Sequence, residues 1–136
     1  MSKSSAETWV KVIAILGYIS AVALAIIGIL MLVGGSLMKS LFPLSGTIMG
    51  GAFGAILIVA AIVMIVIGVL EFIVAFNLAK HHNWARIVMI VLAIIGFIGS
   101  LASIVSSPVM AIIDLVINGG IFYLLAIDKD IVALFK

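Results

Sequence analysis

Apolar positions in this chain do not alternate with polar ones; they run together in four long stretches. The first extends from about Trp9 to Val33 and stops at Gly34-Gly35-Ser36, and the second extends from Ile48 to about Leu78. The third runs from Trp84 to about Val105, ahead of Ser106-Ser107-Pro108, and the fourth from Val109 to Ile127, ahead of Asp128-Lys129-Asp130. A helix crosses a ~30 Å hydrocarbon layer in about 20 residues, which each stretch supplies or nearly supplies. None shows the period-two alternation of a half-buried strand. The pattern predicts an all-α polytopic membrane protein: a single domain over residues 1–136, built as an antiparallel bundle of four transmembrane helices at about 9–33, 48–78, 84–105 and 109–127. The second helix is long enough to tilt or to overshoot the hydrocarbon core.

The connections are read in the same way. Residues 34–47 carry Leu37, Met38, Leu41, Phe42 and Leu44 around Pro43, and a loop so apolar is expected to lie on the membrane or to cap the bundle. The link after Ser107 is only a turn, so helices three and four are predicted to form a tight hairpin. Ile131, Leu134 and Phe135 are spaced for a short interfacial helical turn after Asp128.

Composition agrees with lipid as the solvent. The chain is 67% hydrophobic and 9% charged, against about 45–50% and about 25% in soluble domains. Charge then adds topology. With four spans, Lys3, Lys11, Lys80, Arg86, Lys129 and Lys136 fall on one side and Lys39 alone on the other, which predicts cytoplasmic termini in the cell membrane. Trp9 and Trp84 fall at that same boundary, where indoles prefer to sit. The net charge of +2 is scattered and forms no phosphate-binding cluster, so no nucleic-acid partner is expected. Without cysteine there are no disulfides, thiol redox chemistry, iron–sulfur ligation or thiolate-rich zinc sites. The first apolar run is too long for a signal peptide and is read as a retained helix.

Lipid tails are as apolar as leucine, so helices in a membrane associate through small residues and polar contacts. Here small residues recur every seven positions: Ala14, Ala21, Gly28 and Gly35 in helix one, and Gly54, Ala61, Gly68 and Ala75 in helix two. Helix three repeats Ala93 and Ser100, with Gly96 and Ser103 three residues after each. Such rows predict helix-packing faces with left-handed crossings near +20°.

Two acids lie well inside the apolar runs, and each calls for a reason. Glu71 follows Gly68 by three residues and is placed facing the bundle, about 9 Å inside the inner boundary. Lys11, Arg86 and Tyr18 are its expected partners. It reads as a clamp tying three helices together, as a protonatable site on a proton or cation path, or as a snorkelling side chain. Asp114 lies about 8 Å inside the outer boundary, with Asn118 one turn further on the same face. It reads as a lock to Ser100, Ser103, Ser106 or Ser107 across the hairpin, or as part of an ion or substrate contact. The two acids are about 13 Å apart along the normal of a ~30 Å core, too far for one catalytic dyad.

Other chemistry is weaker. His81-His82 are adjacent, so their side chains diverge, and no carboxylate lies near them in sequence; no metal site is expected. The serines share no side of the membrane with a histidine, and the glycine pairs at 34–35, 50–51 and 119–120 lack a phosphate-binding context. Neither catalytic residues nor a cofactor are expected.

The stretch Gly68-Val69-Leu70-Glu71 through Asn77-Leu78-Ala79-Lys80, then Trp84-Ala85-Arg86, resembles small four-helix membrane domains of prokaryotes whose third helix opens on a Trp-Ala-Arg step. Pro108, Asp114-Leu115, Tyr123-Leu124-Leu125 and the tail closing on Phe135 extend the resemblance over about residues 65–135. It implies the four-helix architecture and no assigned activity. Small multidrug transporters fit less well, since they rely on a glutamate in the first helix, where this chain has no acid. Thiol oxidoreductases, claudins and tetraspanins require cysteines.

Two functions are carried forward. The first is a non-catalytic membrane protein that binds other membrane subunits, or itself, within the lipid bilayer. The second is a small homo-oligomeric proton- or cation-coupled transporter or channel that uses Glu71. The middles of helices two and three, Ile56–Ile67 and Val91–Ile98, carry no polar residue to line a path, which favours the first.

Overall fold

The computed structural model describes residues 2–41 and 48–136. Regular structure among them is helical throughout: α1 (Lys3–Leu41), α2 (Ile48–Ala79), α3 (Asn83–Ser103), α4 (Pro108–Phe122), a π-helical turn (Tyr123–Ile127) and α5 (Lys129–Ala133). Four segments are long and apolar enough to cross a membrane: Lys3–Leu37, Ala52–Ala79, Asn83–Ser103 and Pro108–Ile127. Large apolar side chains such as Leu30, Ile56, Val105 and Val116 point outward. Exposure on that scale is untenable in water. The chain is an all-α, multi-pass membrane protein.

One boundary differs from the sequence reading. α1 does not stop at Gly34-Gly35-Ser36 but runs eight residues past Val33 to Leu41. The reason is packing. Gly35 lies where a Cβ would fall 3.0 Å from the Gly54 carbonyl oxygen and 3.2 Å from Leu57 Cβ, so this glycine serves close helix contact and not chain termination. The Ser36 and Ser40 hydroxyls donate to the carbonyls of Val33 and Leu37, both at 2.8 Å, and so satisfy themselves within the helix. Residues 34–41 of the expected loop are therefore helix, and residues 42–47 lie outside the described residues. At its other end α1 begins at Lys3, six residues before Trp9; the remaining helix ends shift by at most two residues, except that the last five positions of the fourth span form the π-helical turn.

The chain divides into two compact units, Gly17–Ile73 and Met1–Leu16 with Val74–Lys136. α1 and α2 have 39 and 32 residues, about 58 and 48 Å, against 21 and 15 residues for α3 and α4.

The Gly17–Ile73 unit is a helix pair held by small residues. A Cβ at Gly28 would meet the Ala61 carbonyl oxygen at 3.0 Å, and one at Gly68 would meet that of Ala21 at 3.0 Å. Together with Gly35 against Gly54, every step of seven along α1 is matched by a step of seven back along α2, an antiparallel seam at backbone contact. Beside it lies a shallow apolar groove of about 180 Å³ lined by Ala21, Val22, Ala25, Gly68, Val69 and Phe72. Tyr18 and Phe72 rings pack at 5.1 Å between centroids.

In the other unit, α3 and α4 form the predicted hairpin, and its open end is organised by polar groups. α2 terminates with His81 at φ 60°, a left-handed position, and the amides of His81 and His82 fold back to the carbonyls of Leu78 (2.9 Å) and Asn77 (3.1 Å). The π-helical turn closes through Asp128 N–H to the Tyr123 carbonyl at 3.1 Å. Asp128 Oδ1 then caps α5, accepting from the amides of Asp130 (3.0 Å) and Ile131 (3.1 Å). α5 buries Ile131 and is followed by buried Phe135, whose ring meets His81 edge-on at 5.7 Å. The Arg86 guanidinium lies 5.8 Å from the same ring and donates to the Leu125 carbonyl at 3.2 Å and to Asn83 Oδ1 at 3.1 Å.

Arg86→Ala is expected to lower stability by about 1–2 kcal/mol, since it removes a charge-assisted bond to a last-turn carbonyl. Amide exchange at Lys129–Ala133 should accelerate in the variant, whereas unchanged exchange there would mean that the guanidinium does not hold the tail.

Candidate functional site

The polar residues singled out from the sequence fall into two groups. Glu71 belongs to the Gly17–Ile73 unit, while Lys11, Arg86, Asp114 and Asn118 belong to the other. Glu71 is half-buried, and its Oε2 is buried with no hydrogen-bond partner among the described residues. The expected clamp is therefore not made at this oxygen. Arg86, one of its proposed partners, is instead committed to Leu125 and Asn83, and Lys11 is exposed.

Asp114 departs further from expectation. Its side chain is exposed on the outer surface of α4, and none of the serines proposed to lock it does so. Ser100 Oγ donates to the Gly96 carbonyl at 2.8 Å, Ser103 Oγ to Ser100 at 3.1 Å and Ser106 Oγ to Ser103 at 3.1 Å. A serine on a helix reaches its own preceding turn at little entropic cost, and that contact competes with any bond across a hairpin.

Asn118 packs across the hairpin against α3. Its Nδ2 donates to the Asp114 carbonyl at 2.9 Å, and its amide lies flat against Gly96, where a Cβ would fall 2.6 Å from Oδ1 and 2.9 Å from Cγ. This Gly96–Asn118 contact was not anticipated as a pair, although Gly96 stands in the predicted small-residue row. Asn118 also borders an apolar groove of about 310 Å³ lined by Ala93, Ile94, Phe97, Gly119 and Phe122.

The packing residues all lie inward. Ala14, Ala21, Gly28 and Gly35 are buried along α1, and Gly54, Ala61, Gly68 and Ala75 along α2. Ala93 and Ser100 are buried on α3, facing the hairpin.

No protein-family model, curated protein or solved structure matches this chain. The chemistry on offer is thus that of the residues themselves: two apolar grooves, a buried carboxyl oxygen at Glu71, and a carboxylate turned outward at Asp114.

Proposed function

We propose that this chain is a non-catalytic integral membrane protein that works through helix–helix association, as an accessory or scaffold subunit of a larger complex in the cytoplasmic membrane. One observation carries the reading. The polar side chains within the α3–α4 hairpin, Ser100, Ser103 and Asn118, donate to carbonyls of their own helix, and the groove between them is walled by apolar groups. Such a hairpin is built to present surface, not to handle a solute. The six-to-one distribution of basic residues supports cytoplasmic termini. The resemblance of residues 65–135 to small prokaryotic four-helix membrane domains agrees with this placement.

The test is co-purification of a tagged copy from native membranes in mild detergent, with mass spectrometry of the eluate. Stoichiometric foreign subunits are expected. Elution as a free-standing homo-oligomer with transport activity would overturn the reading.

A second reading, a small homo-oligomeric proton- or cation-coupled transporter or channel, is favoured by the unpartnered Glu71 Oε2. Ionisable groups inside membrane spans mark ion pathways and proton relays, and this oxygen has no partner among the described residues. Proton-driven uptake into proteoliposomes that persists in Glu71→Gln would remove this residue from the role.

A further inference from the structure

We infer that the outer face of α4 around Asp114 is the docking surface for a transmembrane helix of another protein, one carrying a lysine or arginine at the same depth. The inference rests on the accessory-subunit reading and names the chemistry of the partner.

The argument begins with depth. The span Pro108–Ile127 has 20 residues, about 30 Å of helix, which matches the hydrocarbon core with nothing to spare. Asp114 is six residues in, about 9 Å from the end of that span, beyond what an aspartate side chain can bridge by reaching to the headgroups. Within a turn of it Met110, Ile113 and Ile117 are exposed apolar side chains, while Ala111 is buried and Asn118 packs on Gly96, so the carboxylate emerges on the exposed flank of the hairpin. Intramembrane acids otherwise face a bundle interior and pair with a counter-charge. Among the described residues the nearby donors are engaged elsewhere: the Asn118 amide donates to the Asp114 main chain, and Ser100 and Ser103 of α3 bond carbonyls of their own helix.

A second copy does not supply the missing cation. Copies inserted in one orientation present the same residues at the same depth. The level of Asp114 corresponds to the turn of α3 beyond Gly96, where residues 97–103 carry no basic side chain. Arg86 is at the far end of the hairpin, bonded to Leu125. Lys11 is two residues from Trp9 at the opposite boundary, and Lys39 lies outside the apolar run Trp9–Val33 in the sequence. A symmetric pairing would instead set Asp114 against its own copy, a like-charge contact. The counter-charge therefore belongs to a different chain.

The probe is a synthetic apolar transmembrane helix with a single lysine about 9 Å inside one end and a basic flank at the other to fix its orientation. Energy transfer to the labelled full-length protein is measured in phosphatidylcholine vesicles, with leucine or glutamate at the probe position as controls. The lysine peptide is expected to bind about tenfold more tightly than the leucine peptide. That preference should vanish in Asp114→Leu and Asp114→Asn, and Asp114→Lys should prefer the glutamate peptide. Equal binding of lysine and leucine peptides, or a preference that survives both neutral variants, overturns the inference. In native membranes the two levels separate. Foreign subunits that co-purify undiminished with Asp114→Lys leave the accessory reading standing and remove this docking surface; loss of those subunits in Asp114→Lys, with normal folding, supports it.

Discussion

Gly28→Leu is expected to destabilise the protein by about 3 kcal/mol and to part α1 from α2, while Gly34→Leu, six residues along the same helix, leaves stability unchanged or slightly raised. At Gly28 a Cβ alone would fall 2.7 Å from Ile65 Cγ1, 3.0 Å from the Ala61 carbonyl oxygen and 3.3 Å from the Ile65 amide nitrogen. The isoleucine tip can rotate away, but a helical carbonyl and amide cannot, so the helices must separate. Separation then forfeits close contact along the whole seam, because dispersion falls steeply with distance and membrane helices have no hydrophobic drive to restore it. A Cβ at Gly34 would meet nothing within 4 Å among the described residues, so a side chain there opens no seam while helix propensity improves. Gly28→Ala should fall between the two. Thermal unfolding in detergent of all three variants tests the claim: equal loss at positions 28 and 34 would show that glycine itself, and not the seam, sets the stability.

The two rows that form that seam were legible in the sequence, though not their pairing, because membrane helices declare their contact faces by size. Nothing larger than alanine occupies Ala14, Ala21, Gly28, Gly35, Gly54, Ala61, Gly68 or Ala75, and a spacing of seven can face one partner continuously. The same glycine signal misled at Gly34-Gly35, where a pair that ends helices in water instead admits a neighbouring backbone. Polar residues were harder to read. A sequence shows that Asp114 and Ser100 lie on facing helices, but not that serine spends its hydroxyl one turn back or that Asp114 points outward. Arg86 was matched to Glu71 on charge and membrane side, when a carbonyl in the last turn at Leu125 was the acceptor at hand. That acceptor depends on the π-helical turn, for which Gly119-Gly120 just upstream is the sole local hint. Size patterns thus transfer from sequence to structure, whereas the direction of a polar side chain is decided by a competition among partners that only the packed helices reveal.

Glu71→Leu is expected to raise stability by about 1–3 kcal/mol, a sign opposite to that of most substitutions at half-buried positions. Oε2 of Glu71 is shut away with no partner among the described residues, so the folded protein carries the desolvation penalty of that oxygen without a compensating bond. Leucine has similar bulk, removes the penalty, and retains the contacts of the aliphatic stem. Glu71→Gln should gain much less, because the amide has the same need for partners. A loss of stability in Glu71→Leu would mean that a donor does hold the carboxylate, and the clamp reading would return. The outcome also bears on function. A residue that weakens the fold it sits in is retained for something other than folding, and the Leu variant separates the two proposals. Under the accessory reading the stabilised variant still captures its foreign subunits, since Asp114 and not Glu71 carries the outward charge. Under the transporter reading the gain in stability comes with the loss of uptake, because the group that burdens the fold is the one that binds the coupling ion.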